Sequence, residues 1–233
     1  MPTSLNTNEH HSLPLIIAGP ILRKVTATEV NIWLVTTQPL EGLVEISDAG
    51  TGEQYYSRPV SKEHLLQVGK RAWVCMLTLQ GEFPTHRALR YQLHTQSGLL
   101  TELMPHLIYD EHKQTAQGVE FLVSEKADYV LHGSCRNPHH FSKDTLVQAD
   151  AKVASQQIED RPDMLIMSGD QIYADHVAGP MLDAIEQLVE LLGLPDEEFE
   201  QAPIKTRKSC IKAQIAFMAE ITFCPTTLTM AAY

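Results

Sequence analysis

The sequence predicts an α+β protein: an N-terminal β-sandwich followed by an α/β domain. Three observations lead there. Apolar residues alternate with a period of two through the first 120 positions, the second half runs strand-helix-strand-helix, and glycines or prolines punctuate the changes. The expected division is residues 1–122 for the sandwich and 123–233 for the α/β part.

The strands of the first half are individually legible. "VNIWLVTT" places Val30, Ile32 and Leu34 on one face, "AWVCMLTL" repeats the pattern with Trp73, Cys75, Leu77 and Leu79, and "RALRYQLHT" with Leu89, Tyr91 and Leu93. Such alternation marks half-buried strands. The glycines of "SDAGTGE", Ser47 to Glu53, suit a hairpin turn. Trp33 and Trp73 are expected in the core.

The second half changes character near Glu125. "DYVLHGSC" reads as a buried strand, Asp128 to His132, stopping at Gly133. A helix is expected from Lys143 to Glu159 with Ser142 as its N-cap. A second buried strand follows, Met164 to Met167. A last helix should run from Pro180 to Leu192, proline suiting its first turn and Gly193 with Pro195 its end. This order implies parallel strands, whose carboxyl ends are where α/β folds gather functional groups.

Composition narrows the function classes. With 233 residues and a formal net charge of -11, the chain is not expected to bind nucleic acid or an anionic membrane surface. Cys75, Cys135, Cys210 and Cys224 form neither a CxxC pair nor a zinc-finger spacing, so no disulfide framework is expected. The short apolar patch Leu13 to Ala18 has no basic leader before it, and the expected location is cytoplasmic.

Two stretches carry chemistry. "GSCRNPHH" closes the first strand of the second half, and "RPDMLIMSGDQIYAD" contains the second. Parallel pairing would bring Cys135 and Asp170 to neighbouring loops, with Tyr173 three residues further on. Thiolate, carboxylate and phenolate are anions that resist gathering unless a cation holds them, and trivalent iron accepts all three. Asp170 as a turn cap, Tyr173 as a packing residue and Cys135 as an inert thiol are the alternatives.

These two stretches resemble the alkaline phosphatase D (PhoD-like) family of calcineurin-like metallophosphoesterases, and "GDQIYAD" is also similar to the "GD…YAD" motif of purple acid phosphatases. "LPLIIAGPILRKVTATEVNIWLV" resembles the β-domain that precedes the catalytic domain in the PhoD-like proteins. The resemblance implies that Cys135, Asp170 and Tyr173 ligate iron (Fe3+), with Asp170 bridging to a second divalent metal such as calcium. The implied reaction is hydrolysis of a small phosphate mono- or diester by a metal-activated water. Asp175 would orient a ligand or water, and Arg136 would either contact substrate phosphate or serve as a surface or helix-dipole arginine. His139, His140 and His176 are expected in surface or structural roles.

One departure bears on activity. The family supplies an asparagine, often in "GNH", and further histidines after its "GD" motif. Here the last asparagine is Asn137 and the last histidine is His176. The chain is therefore expected to be a truncated, weakly active or inactive form of such an enzyme. A non-catalytic β-sandwich binding module and a mononuclear metal-binding remnant are the competing expectations.

Overall fold

A computed structural model of the chain describes residues 13–109, 116–137, 140–173 and 177–196, with isolated positions 198, 200 and 209. Its architecture is α+β with strand predominating. The strands of the first half are β1 (Ile16–Val25), β2 (Glu29–Thr36), β3 (Gly42–Asp48), β4 (Gln54–Pro59), β5 (Leu65–Gly69), β6 (Ala72–Gln80), β7 (Ala88–Thr95), β8 (Gly98–Leu99) and β9 (Val119–Leu122). They form two antiparallel sheets, β1-β2-β6-β5 and β4-β3-β7-β8, with β9 added beside β7.

One apolar core joins the two sheets. Val30, Ile32 and Leu34 from β2 and Cys75, Leu77 and Leu79 from β6 belong to the same buried cluster as Val44 and Ile46 from β3 and Leu89 and Leu93 from β7. Period-two alternation sends these side chains inward and their neighbours outward. Tyr91 and Phe121 extend the cluster at β9, their ring centroids 6.1 Å apart. Burial pushes the Tyr91 phenol well above its ordinary range.

The tryptophans depart from expectation. Trp33 lies between the fully buried Ile32 and Leu34, so strand parity turns it to the outer face. There its register neighbours are Ile21 and Met76, both exposed. Trp73 is half-buried, and neither tryptophan belongs to the core.

Turn chemistry explains the connections. Between β3 and β4 the Asp48 carboxylate accepts from the amides of Gly50 and Thr51 at 2.9 and 2.7 Å. Those bonds, together with an arginine at Arg87, hold its carboxyl below the usual range. Gly42 opens β3 at φ 146°, where a Cβ would meet the His94 carbonyl oxygen across the sheet. Only glycine permits that approach.

The second half contains β10 (Val130–Gly133), α2 (Thr145–Ala154), β11 (Met164–Met167) and α3 (Gly179–Leu192); the short α1 (Leu100–Leu103) precedes them. β10 and β11 pair in parallel, with Val130 opposite Met164 and Gly133 opposite Met167. α3 ends as anticipated on Gly193, in the left-handed region at φ 62°. α2 is shorter than expected. Asp144, not Ser142, caps it by accepting from the Leu146 amide, and Ile158 falls in a separate 3-10 turn, Ile158–Asp160.

The two parallel strands are not the buried elements that their composition anticipates. Met164, Leu165 and Ile166 are 46%, 54% and 42% exposed, although successive residues point to opposite faces. Parallel strands normally lie in sheets covered on both sides. Here no third strand joins them among the described residues.

Polar contacts tie this half to the sandwich. The β5–β6 turn meets the end of α3: the amides of Lys70 and Arg71 donate to the carbonyls of Gly193 and Leu192 at 3.1 and 2.8 Å. Within the second half, Asp163 gathers Ser124 Oγ and the amides of Asp128 and Tyr129 on one carboxylate, which lowers its pKa. Tyr109 donates to Asp150 of α2 at 2.8 Å and lies under the Arg161 guanidinium. No described helix is long and apolar enough to cross a membrane.

Two substitutions test this account by chemical denaturation. Leu79→Ala should cost about 2–5 kcal/mol through the cavity it leaves. Gly42→Ala should cost at least about 2 kcal/mol, because the β3–β7 register must shift to admit a methyl group. Wild-type stability in the Gly42 variant would contradict the close approach.

Candidate metal centre

The parallel pairing of β10 and β11 does not stop where the strands stop. Ser168 N donates to Gly133 O at 3.0 Å, Cys135 N to Gly169 O at 3.3 Å, and Arg136 N to Asp170 O at 3.0 Å. Tyr173 N then returns to Arg136 O at 2.8 Å. These bonds satisfy loop backbone groups and zip the two strand-end loops together.

The zipping has a conformational cost. Cys135 and Asp170 sit at φ 54° and 42°, in the left-handed region that non-glycine residues avoid. Such backbone persists only where surrounding contacts hold it, and it clusters at functional sites. Both strained residues are among those singled out from the sequence.

The side chains converge accordingly. Cys135 Sγ lies 3.6 Å from Asp170 Oδ2, and Tyr173 Oη lies 3.3 Å from the same oxygen. Three groups able to carry negative charge therefore share one point. The Tyr173 hydroxyl reports that crowding: its bond to Cys135, then the charge on Asp170 and on the thiol, push its pKa up to about 12. Among the described residues no lysine, arginine or histidine pairs with Asp170.

Arg136, next to Cys135 in the first loop, turns its guanidinium elsewhere. Its Nε and Nη2 donate to Asp144 Oδ2 at 3.0 and 2.6 Å. The pairing raises the arginine pKa and holds Asp144 below the usual carboxylate range. His140 is bound locally to Ser142 Oγ at 2.7 Å, and His132 to Ser168 Oγ at 2.8 Å. Asp175, His139, His176, Cys210 and Cys224 lie outside the described residues.

The donor set suits a small, highly charged cation. Among the described residues, sulfur, carboxylate oxygen and phenol oxygen meet without a basic side chain paired to them, and a cation would relieve the repulsion that keeps Tyr173 protonated. Among the described residues no three His, Cys, Asp or Glu side chains form such a group; the third donor here is a phenol.

Asp144 and Asp163 were not singled out from the sequence. Asp144 carried an ambiguous signal, because it and Ser142 both offer N-cap chemistry just before the helical pattern. Asp163 carried none, because its partners lie more than thirty residues away in sequence.

No family model, curated protein or solved structure matches the chain.

In metal-free protein the Tyr173 phenol should stay protonated to about pH 12. Nearby anions disfavour a phenolate, so Asp170→Asn or Cys135→Ser should bring its titration down toward the ordinary tyrosine value. The measurement is the ultraviolet absorbance of the phenolate against pH, taken as a difference against Tyr173→Phe. An unchanged titration in both variants would refute the clustering.

Proposed function

We propose that this chain derives from a metal-dependent phosphoric ester hydrolase of the PhoD-like type. The observation that supports it is the meeting of Cys135, Asp170 and Tyr173 at the ends of two parallel strands. Cys135, Asp170 and Tyr173 would hold an iron-type ion, and the Asp170 carboxylate would be the group shared with a second divalent ion such as calcium. Ions held there supply Lewis acidity to a phosphoryl oxygen and lower the pKa of water.

The protein's own part is to present a thiol, a carboxylate and a phenol together on zipped, strained loops and to leave the cluster open to solvent, as the exposure of Cys135 and Asp170 allows. The substrate class is a small phosphate mono- or diester. Proton delivery to a leaving group is the weak point. Among the described residues no histidine bonds to the cluster, and residues 177–233 contain neither histidine nor asparagine. Little turnover by this chain follows.

A second reading rests on the sandwich. A cleft of about 360 Å³ on the outer face of the β3–β7 sheet is lined by Glu45, Gln54, Arg90, Gln92 and His94. Glu45 accepts from Gln54, Ser57 and His94, so its polar groups are held in place. That arrangement favours a binding module for a small polar molecule.

Titration with ferric iron should give one tightly bound equivalent and a visible phenolate-to-iron charge-transfer band. Tyr173→Phe should abolish the band, and hydrolysis of p-nitrophenyl phosphate should stay near background. A folded sample without the band would sink the ligand assignment, and robust hydrolysis would sink the expected inactivity.

A further inference from the structure

Arg136 holds more of the candidate centre together than either of its expected roles would require. Its amide donates to the Asp170 carbonyl and its carbonyl accepts from the Tyr173 amide, at 3.0 and 2.8 Å. One residue's backbone thus connects the Cys135 loop to both other donors. Its side chain reaches a third element, because the Asp144 carboxylate that receives the guanidinium also caps α2 through Oδ1 and Leu146 N at 3.0 Å.

The guanidinium is not presented freely to an incoming phosphate. Two of its nitrogens share one oxygen of Asp144, and the carboxylate neutralises its charge at a separation of 2.6 Å. Both side chains are mostly covered, at 33% and 27% exposure. A fork held in this way fixes the position of the backbone it belongs to.

We infer that Arg136 and Asp144 are positioning residues of the metal centre, an ion pair that anchors the Cys135 loop to the N-terminus of α2 and so sets where the three donors meet. The inference rests on the metal-centre reading for its consequence, but the anchoring itself does not need metal. Residues that orient ligands from behind typically change metal affinity by about 10–100-fold when removed.

The test uses full-length protein and four variants: Asp144→Ala, Asp144→Asn, Arg136→Ala and Arg136→Lys. Asparagine keeps the helix cap and removes the charge, which guards against simple loss of α2. Circular dichroism checks that each variant folds. In metal-free protein the rate of Cys135 alkylation by iodoacetamide, followed at the Cys135 peptide by mass spectrometry, should rise at least about fivefold as the loop is released. The ferric affinity should fall about 10–100-fold, with the charge-transfer band unshifted because the ligands are unchanged. Arg136→Lys should restore part of each loss.

Wild-type alkylation rates and metal affinities in all four variants would overturn the inference. So would loss of inorganic phosphate binding in the Arg136 variants with metal affinity intact, which would make Arg136 a substrate contact. If wild type binds no iron while Cys135 reactivity still responds to Asp144, the metal reading fails and the anchoring stands.

Discussion

Everything distinctive about the second half depends on backbone pairing that continues past the ends of two strands. Hydrogen bonds between the 133–136 and 168–173 segments hold Cys135 and Asp170 in left-handed backbone. Strain of that kind costs about 1–3 kcal/mol per residue. It is offset by amides and carbonyls that would otherwise face an open loop without partners. The main-chain geometry therefore brings the bases of the three side chains to one place.

The two halves are built on different physics. The sandwich has a continuous apolar core in which β2, β3, β6 and β7 each contribute fully buried side chains. The parallel pair has almost none, and its apolar residues remain exposed. What steadies it is polar: the Asp163 carboxylate at the start of the strands, the Arg136–Asp144 pair beyond their end, and Tyr109 against Asp150. Such contacts are directional, which suits a site, but each contributes little to stability in partly exposed positions.

Strand parity was the most legible signal. It located β2, β6 and β7 to within a residue, and it also contained the answer for Trp33, which occupies the opposite parity from Ile32 and Leu34. Aromatic bulk suggested a core residue there, but alternation overrules bulk. The last helix was legible because Pro180 and Gly193 act locally. The start of α2 was not, since Ser142 and Asp144 offer similar capping chemistry. The deciding partner, Arg136, reaches Asp144 through space. Exposure of β11 was illegible for a related reason: "MLIM" states what surroundings the strand requires, while neighbours decide what it receives. The meeting of Cys135, Asp170 and Tyr173 could be anticipated because parallel strands deliver their carboxyl ends to one side. The diversion of Arg136 could not.

The turn between β5 and β6 has a consequence for how the chain acquires its shape. The final carbonyls of α3 are received by the amides of Lys70 and Arg71, and these point outward only once the hairpin carrying them exists. An amphipathic helix of fourteen residues is marginal by itself in water. The sandwich, emerging first from the ribosome, thus offers a ready template on which a later segment can complete its last turn.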